Sequence, residues 1–250
     1  MRNVLKEQGC TEYMLQVIMN QKNLQVLEQT LQKDYENLQG RSAILDCVAR
    51  DERARQFNVE IQGDNEGASP ERARYHSCLL DMNILSPREP FTGLPETYII
   101  FITRNDVLGY DRIICHIIQK VEEEGKDFGD GSHIIYVNSK KREDTELGKL
   151  MHDLHCKESG EMHSKILASR VRELKETEKG VSEMCRDMEE IYGEGMESGR
   201  LLGLEEGERK KARETVLSLA ELKMPEEQIS QIVKMPLEVV QGWIEESLAI

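Results

Sequence analysis

The sequence predicts an α/β fold, a mixed β-sheet flanked by helices, with a helical C-terminal tail. Three observations predict it. Short apolar or β-branched runs stand at Ala43 to Arg50, Gln56 to Gln62, Thr97 to Thr103, Ile113 to Ile118 and His133 to Asn138, each bounded by polar or turn-forming segments. Two of them, Thr97 to Thr103 and His133 to Asn138, are apolar on both faces, as strands buried between layers are. From Met162 onward the pattern is helical almost throughout.

Taken in order, Met14, Leu15, Ile18, Met19, Val26, Leu27 and Leu31 predict one or two amphipathic helices between Glu12 and Lys33. Ala43 to Arg50 and Gln56 to Gln62 flank the polar segment Asp51 to Arg55 and read as a β-hairpin with a five-residue loop. Ser69-Pro70-Glu71 supplies an N-cap, a proline for the first helical position and an acid for the first turn. Tyr75, Leu79 and Met82 follow at helical spacing, so a helix is expected from about Pro70 to Leu85. After the loop Ser86 to Glu96 come the three remaining strands, with Gly129-Asp130-Gly131 as a turn before the last.

In the tail, Gly195, Gly199, Gly203 and Gly207 recur every four residues. Small residues at that spacing line either a close helix contact or a pliable, solvated connector, and the cost of helical glycine favours the connector. Met224-Pro225 and Met235-Pro236 each open a short helix. Ile229, Ile232, Val233, Val239, Val240 and Trp243 are expected to form a miniature core. Between Met224 and Glu246 acids outnumber the one base, Lys234, so this pair suits protein contact or self-association better than DNA.

The 250 residues allow one sizeable core plus an appendage. No apolar stretch approaches the length of a membrane span, and the N-terminus, with Arg2, Lys6 and Glu7, has no continuous apolar core. A cytoplasmic protein is expected. Six cysteines, Cys10, Cys47, Cys78, Cys115, Cys156 and Cys185, lack any C-x-x-C spacing and read as small reduced core residues. The net charge of −14 argues against coating nucleic acid by bulk electrostatics. A local site remains open: Gly40 to Leu80 holds six Arg against seven acids, far closer to balance than the tail.

Candidate chemistry is concentrated in the hairpin. Side chains alternate along a strand, so Glu60 and Gln62 share one face while Phe57, Val59 and Ile61 share the other. A hairpin symmetric about Arg53 sets Asp46 opposite Glu60, at a Cβ separation of about 5 Å. Like charges so close repel, and a divalent cation between them removes the repulsion. Hard oxygen ligands suit Mg²⁺ or Mn²⁺. By contrast His152, His155 and Cys156, with His163 nearby, lack the paired spacing of structural zinc sites, and Asp153 and Lys157 read as a polar helix end.

The segments L-D-C-V-A-R-D-E, F-N-V-E-I-Q, S-P-E-R-A-R-Y-H-S-C-L-L-D, L-P-E-T-Y-I-I-F-I-T-R-N-D and F-G-D-G-S-H-I-I-Y-V-N together resemble the PD-(D/E)XK nuclease family transposases, from about Thr11 to Ile191. The resemblance implies a restriction-endonuclease-like core over residues 1–192, a glycine-spaced connector over 193–222 and a small helical pair over 223–250. It implies metal-dependent DNA endonuclease activity linked to transposition or recombination. Asp46 and Glu60, with the backbone carbonyl of Ile61, would be the metal ligands. Gln62 would stand where lysine is usual and position the attacking water. Arg72 and Arg74 are candidates for the positive charge that lysine would supply, and Arg72, Arg74 and His76 for contact with DNA. An inactive relative working as a DNA-binding or assembly factor, and a homo-oligomer formed through the C-terminal helices, are the alternatives in view.

Overall fold

The computed structural model describes residues 2–35, 42–63 and 66–248. Helix α1 (Arg2–Leu5) leads into α2 (Gln8–Ile18), which buries Cys10, Thr11, Met14, Leu15 and Ile18. The helicity expected as far as Lys33 ends here: Asn20 takes a φ of 50°, and Val26–Tyr35 is a strand, β1, antiparallel to β2 (Ala43–Asp51). As an edge strand β1 buries only Val26 and Tyr35 and leaves Leu27 exposed. Its period-two signal is therefore faint, and pairing with β2 overrides local preference.

Strand β3 (Gln56–Gln62) pairs antiparallel with β2. Helix α3 (Pro70–Met82) then carries the chain to β4 (Thr97–Thr103), parallel to β3. Ser69 caps α3, its Oγ accepting the N–H of Arg72 at 3.2 Å. Next come β5 (Ile114–Ile117), a two-stranded ribbon of β6 (Lys120–Val121) and β7 (Lys126–Asp127), and β8 (Ser132–Asn138), which is parallel to β4 and antiparallel to β5. Among the described residues the main sheet has six strands in the order β1-β2-β3-β4-β8-β5. It is mixed and helix-flanked as the sequence leads one to expect, with β1 the added strand.

Ala73 and Leu80 of α3 pack with Ile99, Phe101 and Tyr136 on one face of the sheet. The other face carries a row of stacked rings, Phe57, Tyr98 and His133, with centroids 5.1 and 4.6 Å apart. Helices α4 (Glu146–Asp153) and α5 (Lys165–Glu176) pack against α2.

The chain divides into two compact units, Met1–Ser182 and Glu183–Ile250. Helix α6 (Glu178–Glu221) contains the glycine repeat, and a side chain placed at Gly195, Gly199, Gly203 or Gly207 would meet open space among the described residues. Helices α7 (Glu226–Val233) and α8 (Leu237–Leu248) close a small core of Val216, Ile229, Val240 and Trp243. Ile232, expected in that core, is 55% exposed, and Val216 of α6 replaces it. The cysteines also depart from expectation: all six are free, but only Cys10 and Cys47 are buried. No helix among the described residues is long and apolar enough to cross a membrane.

Candidate active site

The site is set by a knot at the hairpin tip. Asp51, fully buried, accepts the N–H groups of Arg53 and Arg55 at 3.0 and 2.9 Å and the Arg55 guanidinium at 2.6 and 2.7 Å. Ala54 completes the turn with a φ of 63°. This lock holds the register Arg50↔Gln56, Val48↔Asn58 and Cys47↔Val59. One step further along the same alignment Asp46 stands beside Glu60.

There the carboxylates take over from the backbone ladder. The N–H of Asp46 donates to Glu60 Oε1 at 3.1 Å, and the N–H of Ile61 donates to Asp46 Oδ2 at 3.3 Å. In a strand a residue's N–H and C=O point the same way, so the carbonyl of Ile61 also faces the Asp46 side. Gln62 Nε2 donates to Glu60 Oε2 at 3.3 Å. Asp46, Glu60, Gln62 and the Ile61 main chain are thus brought together at the splayed end of one hairpin.

Glu60 is 1% exposed, and burial pushes its carboxyl above the ordinary value. The charge of Asp46 pushes it further, while the N–H of Asp46, the Asn58 side chain and Arg72 pull it back. Holding the buried Glu60 carboxylate beside the half-buried one of Asp46 is costly unless a cation compensates. Two carboxylates and a carbonyl are hard oxygen donors and fit Mg²⁺ or Mn²⁺. Asn58 Oδ1, on the same strand face two residues before Glu60, is buried without a hydrogen-bond partner.

Helix α3 supplies the surroundings of Glu60. Arg72, with its side chain 39% exposed, brings a guanidinium nitrogen to 3.7 Å from Glu60 Oε2. Its Nε also donates to His76 Nε2 at 3.2 Å. His76 is 2% exposed, with Nδ1 3.6 Å from Glu60 Oε1 and its ring tilted against Phe101. It therefore sits beneath the carboxylate rather than on a surface open to a ligand. Arg74 is exposed, and at 100° per residue it lies on the opposite side of α3 from Arg72 and His76. Glu12 accepts the N–H of Val26 at 2.9 Å and so anchors the start of β1.

Sequence reasoning missed Asn58, although its position two residues before Glu60 is a usable signal. It also missed a small cavity of about 200 Å³ past the carboxyl ends of β3, β4 and β8, where Gln62, Arg104, Ser139 and His155 meet. His155 Nε2 lies 2.9 Å from Ser139 Oγ. Burial, followed by the charges of Arg142 and Arg104, lowers its pKa. Those residues are distant in sequence and only the parallel register gathers them.

A mixed sheet flanked by helices, with an acid on each strand of an antiparallel hairpin, is a restriction-endonuclease-like α/β core. The family model for PD-(D/E)XK nuclease family transposases matches residues 12–192, and the chain belongs to that family. Neither a curated protein nor a solved structure matches the chain.

Proposed function

We propose that the protein is a Mg²⁺- or Mn²⁺-dependent DNA endonuclease that hydrolyses phosphodiester bonds in transposition or recombination. The reading is carried by the Asp46–Glu60 pair, each acid bonded to a main-chain N–H of the other's strand. Asp46, Glu60 and the Ile61 carbonyl would hold the cation. When bound, it acidifies a water and stabilises charge on the phosphate.

The chain's own residues do the rest. Gln62 orients the attacking water by hydrogen bonding and neither takes up a proton nor supplies charge. Arg72 faces Glu60 with part of its side chain in solvent and contributes the cation that lysine would give, its fork matching a phosphate oxygen pair. His76 holds Arg72 and Glu60 in place from below and is a positioning residue. Arg74 remains a candidate for phosphate contact at the exposed side of α3. The free cysteines accord with a cytoplasmic location.

Plasmid nicking with Mg²⁺ against EDTA, repeated with Asp46→Asn, tests this. Cleavage that survives the substitution overturns the assignment. Glutamine in the lysine position favours a second reading, an inactive relative that binds DNA or assembles proteins through its C-terminal helices. Absence of cleavage by the folded wild-type protein would support it. Homo-oligomerisation through those helices belongs to both readings, and sedimentation of a chain ending near Gly193 checks it.

A further inference from the structure

A second cluster of donor atoms lies where α4 ends and the chain turns back to start α5. Asp153, the last residue of α4, is fully buried and accepts the N–H groups of His163 and Ser164 at 2.8 and 2.7 Å. Those two bonds fold the connection onto the helix end. As a result the His163 ring comes to 4.7 Å from the His152 ring, centroid to centroid. Cys156, four residues after His152, places Sγ 3.4 Å from His152 Nδ1, and Asp153 Oδ1 is 3.3 Å from the same nitrogen.

One ligand atom each from His152, Asp153 and Cys156 lies within 4.8 Å of the other two. Zinc bonds of about 2.0–2.1 Å to nitrogen or oxygen and 2.3 Å to sulfur set tetrahedral edges of roughly 3.4–3.6 Å. The His152–Asp153 edge matches, while Cys156 Sγ, 3.4 Å from Nδ1 and 3.8 Å from Nε2, lies over the ring and needs a side-chain rotation to complete its edge. Without metal, His152 Nδ1 can donate to Asp153 Oδ1 while the Cys156 thiol donates to the Glu161 carbonyl at 3.8 Å, and a cation would take the place of both protons.

We propose that His152, Asp153 and Cys156 form a zinc site, with the His163 ring beside them and a fourth position open to solvent. The mixed nitrogen, sulfur and oxygen set suits Zn²⁺ rather than the hard ion expected at Asp46 and Glu60. Binding breaks the Cys156 S–H bond, forms the S–Zn bond and releases the proton to solvent, with no redox change. A cavity of about 420 Å³ bordered by His152, Cys156 and Glu161 offers access.

The site's consequence lies between its ligands. Leu154 and His155, flanked by Asp153 and Cys156, form one wall of the cavity that contains Gln62. Metal at the turn therefore pins His155 against Ser139, beside the site on the hairpin. Sequence spacing pointed away from zinc because H-x-x-H-C lacks the paired spacing of structural sites and Asp153 reads as part of a polar helix end. The fold turns His155 towards Ser139 and puts Asp153 beside His152 and Cys156.

The test titrates chelator-stripped, full-length protein with Co²⁺. We expect a thiolate-to-cobalt charge-transfer band in the near ultraviolet with tetrahedral visible bands, reaching about one ion per chain and displaced by Zn²⁺. Cys156→Ser should remove the charge-transfer band, and His152→Gln should weaken binding at least tenfold, each variant being checked for native circular dichroism. Asp46→Asn should leave the band unchanged. No charge-transfer band in the wild-type protein, an undiminished band in Cys156→Ser, or unaltered affinity in His152→Gln would each overturn the site.

Discussion

Asp46 and Glu60 meet through each other's strand: the main chain of Asp46 holds the Glu60 carboxylate, and the residue after Glu60 holds that of Asp46. Each acid is aimed by a backbone N–H, and Glu60 by the side chains of Gln62, Arg72 and His76 as well. The pair is accordingly preorganised and, without a cation, repulsive.

Asp46→Asn should therefore raise the thermal midpoint of the metal-free protein while reducing cleavage by about a hundredfold or more. Mg²⁺ should stabilise the wild-type chain and not the variant. Scanning calorimetry in EDTA and in Mg²⁺, beside a nicking assay, measures both effects. A lower midpoint for the variant in EDTA would contradict the repulsion argument.

The pH profile follows from Glu60. Burial and Asp46 raise its pKa, and a protonated carboxyl holds no metal, so cleavage should fall as pH drops through that raised value. Gln62→Lys places a cation beside Glu60 Oε2, which favours the charged form and should move the acidic limb to lower pH. Gln62→Ala should lower kcat by about a hundredfold with little change in KM. Rate profiles for the three proteins decide the matter.

At the hairpin tip, Asp51→Asn keeps an oxygen for the turn N–H groups but leaves Arg55, 6% exposed, without its charged partner. Breaking a buried pair in this way costs about 3–5 kcal/mol. Urea denaturation should show a large fall in the midpoint. A change within experimental scatter would mean that register is held elsewhere.

Alkaline pH should weaken the fold. Burial pushes Cys10 up to about 11 and Cys47 to about 12, both from 9.0, and Tyr98 and Tyr136 to about 12 from 10.0. In these groups the folded state keeps the proton after the unfolded state has lost it. Stability is then complete below about pH 9 and declines as pH rises towards 11 and 12, each group contributing about 1.4 kcal/mol per unit within its window. Urea midpoints across that range should fall steadily. Thiol labelling should reach the exposed Cys78 and Cys185 at once and Cys10 and Cys47 only on unfolding.

In the C-terminal unit, Trp243→Ala empties the largest side chain from the core of Val216, Ile229 and Val240, a loss of about 3–5 kcal/mol. That core is small, so the helical signal of residues 183–250 should fall while Mg²⁺ binding by the remainder persists. Circular dichroism and metal titration of the variant would read the two separately.

Local chemistry alone was enough for the hairpin. Alternation in Gln56 to Gln62 fixes which side chains share a face, and a symmetric turn centred on Arg53 sets the pairing that puts Asp46 beside Glu60. Ser69, Pro70 and Glu71 likewise announce α3, and the both-face apolar runs announce β4 and β8, because these patterns act over a few neighbouring residues. Strand β1 escaped notice since an edge strand exposed on most of its length carries little periodicity. The burial of His76, the unpartnered Asn58 oxygen, the meeting of Gln62 with Arg104, Ser139 and His155, and the gathering of His163 with His152, Asp153 and Cys156 depend on chain segments far apart or on a turn closed by a buried carboxylate. Spacing along the chain encodes faces and turns; which faces confront one another is settled by packing and by buried hydrogen bonds, whose partners no local pattern names.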